Sequence, residues 1–244
     1  MIDDLTVYGA TPSSQSCIYE IIYSLVLINP DAIAITGLKI PPITYDTLAA
    51  FMNETVHLYN GMGIGRNDRV AVVFPNGPVM TIAFLCVSSC VTCAPLNPVY
   101  SESDFDYYLK NLNAKAMIVQ KGIISPVRTV AREQGVPIIE MSRADVGSGL
   151  SLKLKGEVNR SSVNDGFAMS NDTVLVLHTS GTTSRPKIVP LTHQNLCTSE
   201  ENIQRSLAIS ETDICLNVMP LSHIHRLVGA LLSTLATGGM AVCS

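Results

Sequence analysis

The stretch that decides the fold runs from Val176 to Asn195 and reads V-L-H-T-S-G-T-T-S-R-P-K-I-V-P-L-T-H-Q-N. A strand-like apolar run, Thr173 to Leu177, precedes the hydroxyl- and glycine-rich segment T-S-G-T-T-S, which leads to Pro186 and Lys187. Glycine removes the Cβ so that backbone N–H groups converge, hydroxyls add hydrogen-bond donors, and lysine adds a positive charge. The stretch therefore predicts a phosphate-binding loop between two strands.

An ordinary polar turn between two strands is the alternative that these residues leave open. The Walker A pattern is excluded, because it requires G-x-x-x-x-G-K-[ST]. Pro186 stands where that pattern needs its second glycine, and Ile188 follows Lys187 where it needs serine or threonine. A conventional phosphate-loop kinase or GTPase is therefore not predicted.

On both sides of this stretch, strand-like apolar runs alternate with helix-like runs. Strands are predicted at 69–74, 91–96, 116–120, 136–140, 173–177, 188–190, 215–218 and 240–243, and helices at 16–28, 45–59, 78–90, 102–112, 126–134, 192–206 and 224–236. This alternation predicts an α/β fold with parallel sheets flanked by helices. The polar, glycine- and serine-rich stretch from Gly147 to Ser170 is predicted to be a surface linker.

Composition excludes several classes of protein. With 47% hydrophobic and 15% charged residues in 244, the chain is predicted to fold rather than to be disordered. A net charge of −4 and the lack of a Lys/Arg run give no indication of a basic surface that binds nucleic acid. The uncharged stretch from Val79 to Leu96 is long enough to raise the question of a membrane span. Its serines, threonines and Pro95 favour a buried helix followed by a buried strand.

The cysteines and the N-terminus bear on the compartment. Seven cysteines are scattered without the spacing of a metal site or a disulfide framework, which predicts no metal site and free thiols in a reducing cytoplasm. The first residues include Asp3 and Asp4 and lack a basic region, so a secretory signal is not expected. The sequence therefore predicts a cytoplasmic protein.

Four further segments extend the pattern over most of the chain. They are I-T-Y-D-T-L at 43–48, G-R-N-D-R-V-A with P-N-G at 65–77, T-C-A-P-L-N-P-V-Y at 92–100 and M-P-L-S-H-I-H at 219–225. Together with the T-S-G-T-T-S-R-P-K run, these segments resemble, in order, the motifs of the AMP-forming adenylating enzymes. That superfamily includes acyl-CoA synthetases, luciferases and the adenylation domains of peptide synthetases. The sequences of these segments are most similar to those of acyl- and oxalyl-CoA synthetases.

The resemblance implies a two-step reaction. A carboxylate attacks the α-phosphorus of ATP to give an acyl-adenylate and pyrophosphate, and the thiol of CoA or of a carrier-protein pantetheine then takes the acyl group. Charge on the phosphoryl oxygens has to be neutralised by Mg²⁺, lysine and fixed donors. The residues predicted to contact the ATP phosphates are Thr179, Ser180, Gly181, Thr182, Thr183 and Lys187, with Thr183 and Lys187 as the candidate catalytic residues.

The segment around His223 resembles the wall of the family's acyl pocket and departs from it twice. The alternative for His223 is a histidine satisfied at a strand end. Ser222 stands where the family usually has phenylalanine, which would loosen or polarise the pocket. Arg226 stands where glycine is usual, and its cation would either fill the pocket or pair with a substrate carboxylate such as that of oxalate. His223 and His225 lack further ligands at suitable spacing, so a metal pair is not predicted.

The resemblance also implies a domain organisation. Residues 62–215 are predicted to form a largely complete lobe that carries the phosphate loop, and residues 1–60 and 216–244 to form parts of an incomplete second lobe. By this resemblance, the family's later segments, with the acidic residue for Mg²⁺, the ribose-binding aspartate and the C-terminal lysine, are missing here, and so is its small C-terminal domain. The chain is thus expected to be a truncated N-terminal domain of an ATP-dependent acyl-CoA ligase, nearly inactive alone, completed in trans or self-associating. A non-catalytic binding or regulatory module is the alternative.

Overall fold

Two sheets, seven α-helices and one π-helix make up the described part of the chain. The computed structural model describes residues 17–38, 40–143, 150–154, 164–179, 186–218, 221, 224 and 227–244. In chain order the elements are α1 (Ile18–Ile28), β1 (Ile33–Gly37), β2 (Ile43–Thr44), α2 (Tyr45–Gly61), β3 (Arg69–Val73), α3 (Pro78–Ser88), β4 (Thr92–Pro95), α4 (Glu102–Leu112), β5 (Ala116–Gln120), α5 (Val127–Glu133), β6 (Ile138–Arg143), β7 (Leu150–Leu154), β8 (Thr173–Thr179), β9 (Lys187–Thr192), α6 (His193–Leu207), β10 (Ile214–Asn217), a π-helix (Leu227–Leu232), α7 (Ser233–Leu235) and β11 (Met240–Cys243).

The larger sheet has seven strands in the order β7-β6-β5-β3-β4-β8-β9. Strands β6, β5, β3, β4 and β8 run parallel, whereas β7 and β9 lie antiparallel at the two edges. The interior strands β3, β4 and β5 are buried over almost their whole length, because helices cover both faces of a parallel sheet. The prediction of an α/β fold with parallel sheets flanked by helices is confirmed.

The smaller sheet has four strands in the order β10-β11-β1-β2. Strand β1 pairs in parallel with β11, with Ile35 opposite Ala241, and antiparallel with β2. This sheet therefore combines the beginning and the end of the chain. One core continues from it to the larger sheet and includes Tyr45, Met52 and Phe84, none of which is measurably exposed.

A buried hydrogen bond joins the first helix to α6. The backbone N–H of Ile18 donates to Nδ1 of His193 over 3.2 Å. Burial lowers the pKa of His193 to about 4, although the charge of Asp172 and the Ser88 carbonyl act in the opposite direction. The imidazole is therefore neutral at neutral pH, as an accepting Nδ1 requires.

Local signals explain several helix ends. Helix α4 begins at a capping box, in which the Ser101 hydroxyl accepts from the Asp104 N–H and the Asp104 carboxylate accepts from the Ser101 N–H. Helix α6 begins at a similar box formed by Thr192 and Asn195. Asn113 then ends α4 in the left-handed region with φ 49°.

Three parts of the structure differ from the predictions. Strand β7 lies inside the stretch predicted to be a linker and pairs with β6, with Leu154 opposite Ile139. The strands β1 and β2 were not predicted. The predicted helix at 224–236 contains the π-helix Leu227–Leu232. A period of 3.6 residues does not reveal such a change in hydrogen bonding.

Candidate functional site

The two ends of the predicted phosphate segment lie side by side at the carboxyl edge of the larger sheet. Thr179 is the last residue of β8 and Lys187 is the first residue of β9, and the two are opposite each other in the antiparallel register. The parallel strands β3 and β4 end at the same edge as β8. In open α/β sheets, ligands bind outside the carboxyl ends of the strands. The register therefore brings Thr179 and Lys187 to a position suited to ligand binding.

Most of the predicted site residues are not described. Ser180, Gly181, Thr182 and Thr183 lie outside the described residues, as does the side chain of Thr179. Lys187 is described and is exposed to solvent. The assignment of these residues to phosphate binding stays a prediction, as do the catalytic roles of Thr183 and Lys187.

An aromatic cluster lies against the two ends of the phosphate segment. The ring of Tyr108 lies edge-on against the ring of His178, with 4.4 Å between centroids, and stacks on Tyr100 at 4.9 Å. The hydroxyl of the neighbouring Tyr107 lies 3.4 Å from the carbonyl oxygen of Pro186. Helix α4 therefore contacts both strands of the β8–β9 hairpin next to the phosphate segment.

Burial sets the ionisation of this cluster. It lowers the pKa of His178, so that the imidazole is neutral at neutral pH. Burial also raises the pKa of Tyr108 to about 12, with smaller contributions from Tyr100 and Asp104. Nε2 of His178 is buried without a hydrogen-bond partner among the described residues. No local pattern in the sequence indicates this cluster, because residues 100–108 and 178–186 are far apart along the chain.

The A-P-L-N-P-V-Y segment leads from β4 to this cluster. The amide of Leu96 donates to the carbonyl of Val72 over 2.9 Å, which continues the strand pairing beyond β4. Asn97 then turns the chain, since its Oδ1 accepts from the N–H of Val99 over 3.1 Å. The turn delivers Tyr100 to its stacking position on Tyr108, so the described part of this motif serves to place α4.

The G-R-N-D-R-V motif lies at the opposite, amino-terminal edge of the sheet. Arg66 Nε donates to Asp172 Oδ2 over 2.6 Å, and Asn67 Nδ2 donates to Asp172 Oδ1 over 2.7 Å. Burial alone would raise the pKa of Asp172, but hydrogen bonds from Arg66, the Met169 amide and Asn67 outweigh it and lower the pKa. The network ties the start of β3 to the start of β8 and stabilises the fold.

The P-N-G turn holds the beginning of the predicted acyl-pocket segment. Oδ1 of Asn76 accepts from the backbone N–H of Leu221 over 3.1 Å, and Leu221 is buried. Asn76 follows β3 of the larger sheet, and Leu221 follows β10 of the smaller sheet. The bond therefore connects the carboxyl edges of the two sheets. Ser222, His223 and Arg226 lie outside the described residues, and their pocket role stays a prediction.

Among the described residues, no group of three His, Cys, Asp or Glu side chains is arranged to hold a metal ion. All seven cysteines are described as free thiols. No helix in the described ranges combines the length and the apolar character needed to cross a bilayer.

Comparison with known proteins agrees with the motif assignment. A family model described as "AMP-binding enzyme" matches residues 27–244. An oxalate–CoA ligase of Saccharomyces cerevisiae is 38% identical over 215 residues, covering 79% of this chain and 39% of the relative. An oxalate–CoA ligase of Arabidopsis thaliana is 37% identical over 185 residues, covering 74% of this chain and 36% of the relative. A probable CoA ligase of Humulus lupulus, CCL9, is 35% identical over 200 residues, covering 80% of this chain and 38% of the relative.

Solved structures share the fold at lower identity. Apo MatB from Rhodopseudomonas palustris superposes with a TM-score of 0.75 at 20% identity, covering 93% of this chain and 45% of that chain. A putative long-chain-fatty-acid CoA ligase from the same species superposes with a TM-score of 0.76 at 18% identity, covering 93% of this chain and 57% of that chain. The chain matches the N-terminal part of this fold and spans about two fifths of the length of the curated relatives cited above. The resemblance predicted from the motifs is confirmed.

Proposed function

Because the chain belongs to the AMP-binding enzyme family, we propose that it carries the ATP-phosphate-binding part of a ligase that joins a carboxylic acid to CoA or pantetheine through an acyl-adenylate. The observation that carries this proposal is the register of the β8–β9 hairpin. It sets Thr179 opposite Lys187 at the carboxyl edge of the parallel sheet, with T-S-G-T-T-S-R-P at 179–186. Both ends of the segment thus meet where a phosphate chain would be bound.

The chemical roles follow from the residue types. Backbone N–H groups and hydroxyls of Thr179, Ser180, Gly181, Thr182 and Thr183 would donate to the β- and γ-phosphates. Lys187 would neutralise charge that builds up while pyrophosphate leaves. We propose that Mg²⁺ arrives as part of the Mg²⁺–ATP substrate, held mainly by phosphate oxygens.

The first experiment is calorimetric titration of Mg²⁺–ATP into the folded chain and two lysine variants. Lys187→Ala should weaken binding about tenfold or more, because it removes a charge-assisted contact to phosphate. Lys115→Ala is the matched control, since this exposed lysine precedes β5 at the opposite edge of the same sheet. It should bind as the wild type does.

The non-catalytic module remains the second candidate, supported by the substitutions at Ser222 and Arg226. A folded chain that binds no Mg²⁺–ATP would favour it over the ligase proposal. Pyrophosphate exchange that appears only after adding the C-terminal part of a relative would instead support a ligase completed in trans.

We also propose a short dicarboxylate as the acyl substrate. Two of the relatives are oxalate–CoA ligases, and Arg226 would pair with a second carboxylate in bidentate fashion. If recognition is the role of Arg226, Arg226→Gly should abolish oxalate binding. If the same variant instead gains the ability to bind neutral acyl acids, Arg226 fills the pocket.

The smaller sheet supports a proposal about partners. Its edge strand β10 presents Ile214 and Leu216, followed by Val218, each more than half exposed. We propose that this apolar edge makes the chain self-associate unless further polypeptide covers it. In light scattering, Leu216→Lys should lower the apparent mass, while Leu207→Lys, at the equally exposed end of α6, should leave it unchanged. A monomeric wild type would refute self-association.

We propose the division that the resemblance implies, with one lobe at 62–215 and parts of a second lobe at 1–60 and 216–244. The separate strand orders of the two sheets support it, with strand β10 (Ile214–Asn217) at the boundary. The free thiols support a reducing, cytoplasmic location. Cell fractionation tests the location, and limited proteolysis tests the division.

A further inference from the structure

Two consecutive tyrosines of α4 contact the two ends of the phosphate segment. Tyr108 packs its ring against His178, the residue before Thr179 at the end of β8. Tyr107 directs its hydroxyl to the carbonyl oxygen of Pro186, the residue before Lys187. Consecutive helical residues point about 100° apart, which allows one helix to reach two neighbouring strands. The pair thus spans the hairpin at the point where the segment begins and ends.

The helix that carries this pair is firmly held. Tyr108 is 9% exposed and Phe105 is fully buried, and both belong to one core cluster with Val73 and Val119 of the sheet. The capping box at Ser101 fixes the first turn of α4. Helix α4 therefore provides a fixed reference for the hairpin strands.

A contact with a fixed helix matters most at the first residue of strand β9. It is the edge strand of the seven-stranded sheet, so only β8 pairs with it among the described strands. Pro186 has no N–H to donate, which leaves its carbonyl as the backbone group that a side chain can hold. The Tyr107 contact supplies a second constraint directly before Lys187.

We propose that Tyr107 is a positioning residue, which holds Pro186 so that Lys187 stays opposite Thr179 and aimed at the ATP phosphates. This inference rests on the proposed function of the segment. The 3.4 Å contact is long for a hydroxyl and a carbonyl, so a small shift of Pro186 toward α4 would strengthen it. The contact thus responds to the position of the strand that carries Lys187.

The test compares Tyr107→Phe with Tyr108→Phe. Each change removes one phenolic hydroxyl, but only Tyr107 donates to the hairpin, and the Tyr108→Phe variant keeps an aromatic ring against His178. Tyr107→Phe should raise the Mg²⁺–ATP dissociation constant about threefold to tenfold, the range expected for one lost hydrogen bond. Amide exchange in the peptide that covers residues 187–190 should become faster, while the melting temperature falls by no more than about 5 °C. Tyr108→Phe should leave both the affinity and the exchange unchanged.

The outcomes separate this inference from the proposed function. If Lys187→Ala weakens ATP binding but Tyr107→Phe leaves affinity and exchange unchanged, the positioning role is overturned and the phosphate site stands. If the wild type binds no ATP, the proposed function fails and the positioning of Lys187 for phosphate fails with it. Faster exchange at 187–190 in Tyr107→Phe would then show a structural tether only. Faster exchange over the whole chain, with a large fall in melting temperature, would show a general packing role and overturn the proposal.

Discussion

The hydroxyl of Tyr45 lies 2.7 Å from the carbonyl oxygen of Gly239, a residue almost at the other end of the chain. The same hydroxyl lies 2.8 Å from the carbonyl of Leu235, so one buried donor serves two acceptors. Tyr45 is the first residue of α2 and is completely buried. This contact fastens α2 to the turn between α7 and β11, and thereby to the smaller sheet.

Tyr45→Phe should therefore destabilise the fold by about 1–3 kcal/mol, because it leaves the carbonyl oxygen of Gly239 without this donor, whereas the carbonyl of Leu235 keeps the Gly238 N–H. Tyr59→Phe is the matched control on the same helix. Tyr59 is equally buried, but its hydroxyl has no partner among the described residues. Its removal should be neutral or stabilising. Urea denaturation of the two variants checks the difference, and equal losses would contradict it.

Gly37→Ala should separate β1 from β11. A Cβ at this position would lie 2.4 Å from the backbone carbonyl oxygen of Cys243, which cannot move without disturbing the strand pairing. We expect a loss of about 1–3 kcal/mol in the free energy of unfolding. Gly61→Ala, at the end of α2, meets no atom within 4 Å and should be neutral or slightly stabilising. Thermal unfolding of both variants measures the contrast.

The raised pKa of the buried Glu200 carboxyl predicts that the fold loses stability as the pH rises. Burial, followed by the charge of Glu201, raises the pKa of Glu200 from 4.5 to about 8, although Gln204 donates to its carboxylate. The neighbouring ionisable groups include Cys197 on the same helix and Glu20 and Cys17 at the start of α1. The folded chain thus holds a proton that the unfolded chain releases near pH 4.5. The stabilisation is complete below that pH and is lost as the pH rises through about 8.

Glu200→Gln should remove this dependence. Between about pH 6.5 and 8, urea midpoints should fall for the wild type and stay level for the variant. This window avoids the titration of His193, whose lowered pKa affects stability only between its unfolded value of 6.5 and about 4. Glu211→Gln, at an exposed glutamate before β10, should behave as the wild type does. A wild type with level midpoints would show that Glu200 is ionised in the fold.

Asp172→Asn should be costly, because it leaves Arg66 without its carboxylate in a partly buried network. We expect a loss of about 3 kcal/mol in the free energy of unfolding. Asp106→Asn is the control, since the Asp106–Lys110 pair is exposed and asparagine keeps the Oδ1 that accepts from Gln134, so the change should cost less than about 1 kcal/mol. Chemical denaturation at pH 7 compares the two, and a neutral Asp172→Asn would mean that the network does not stabilise the fold.

Local signals account for what the sequence could predict. The bounds of α4 and β5 agree with the prediction, because the serine cap, the apolar spacing and the following apolar run all act within a few residues. Strand β7 was detectable in principle, since Leu150, Leu152 and Leu154 alternate with polar residues. The glycines and serines on both sides obscured that pattern. Strands β1 and β2 are too short to stand out without their distant partner β11.

The same limit applies to the candidate site. A contiguous run of residues predicted strands at 173–177 and 188–190 on either side of the phosphate segment, and the structure extends these strands to Thr179 and Lys187. The contacts of Tyr107 with Pro186 and of Tyr108 with His178 could not be predicted, because they depend on the position of β4 between β3 and β8. Strand order is decided by packing of the whole sheet, which no local pattern records.

The pairing of β1 with β11 sets the time course of folding during synthesis. Ile35 and Ala241 are partners across about 200 residues, so at roughly 5–20 residues per second the ribosome needs about ten to forty seconds to supply the second strand after the first. During that interval β1 and its apolar neighbours have emerged without their principal partner. The seven-stranded sheet is completed earlier, when Thr192 emerges. A nascent chain of this protein should therefore depend on chaperones for its first segment, and slow translation after β9 should lower its yield.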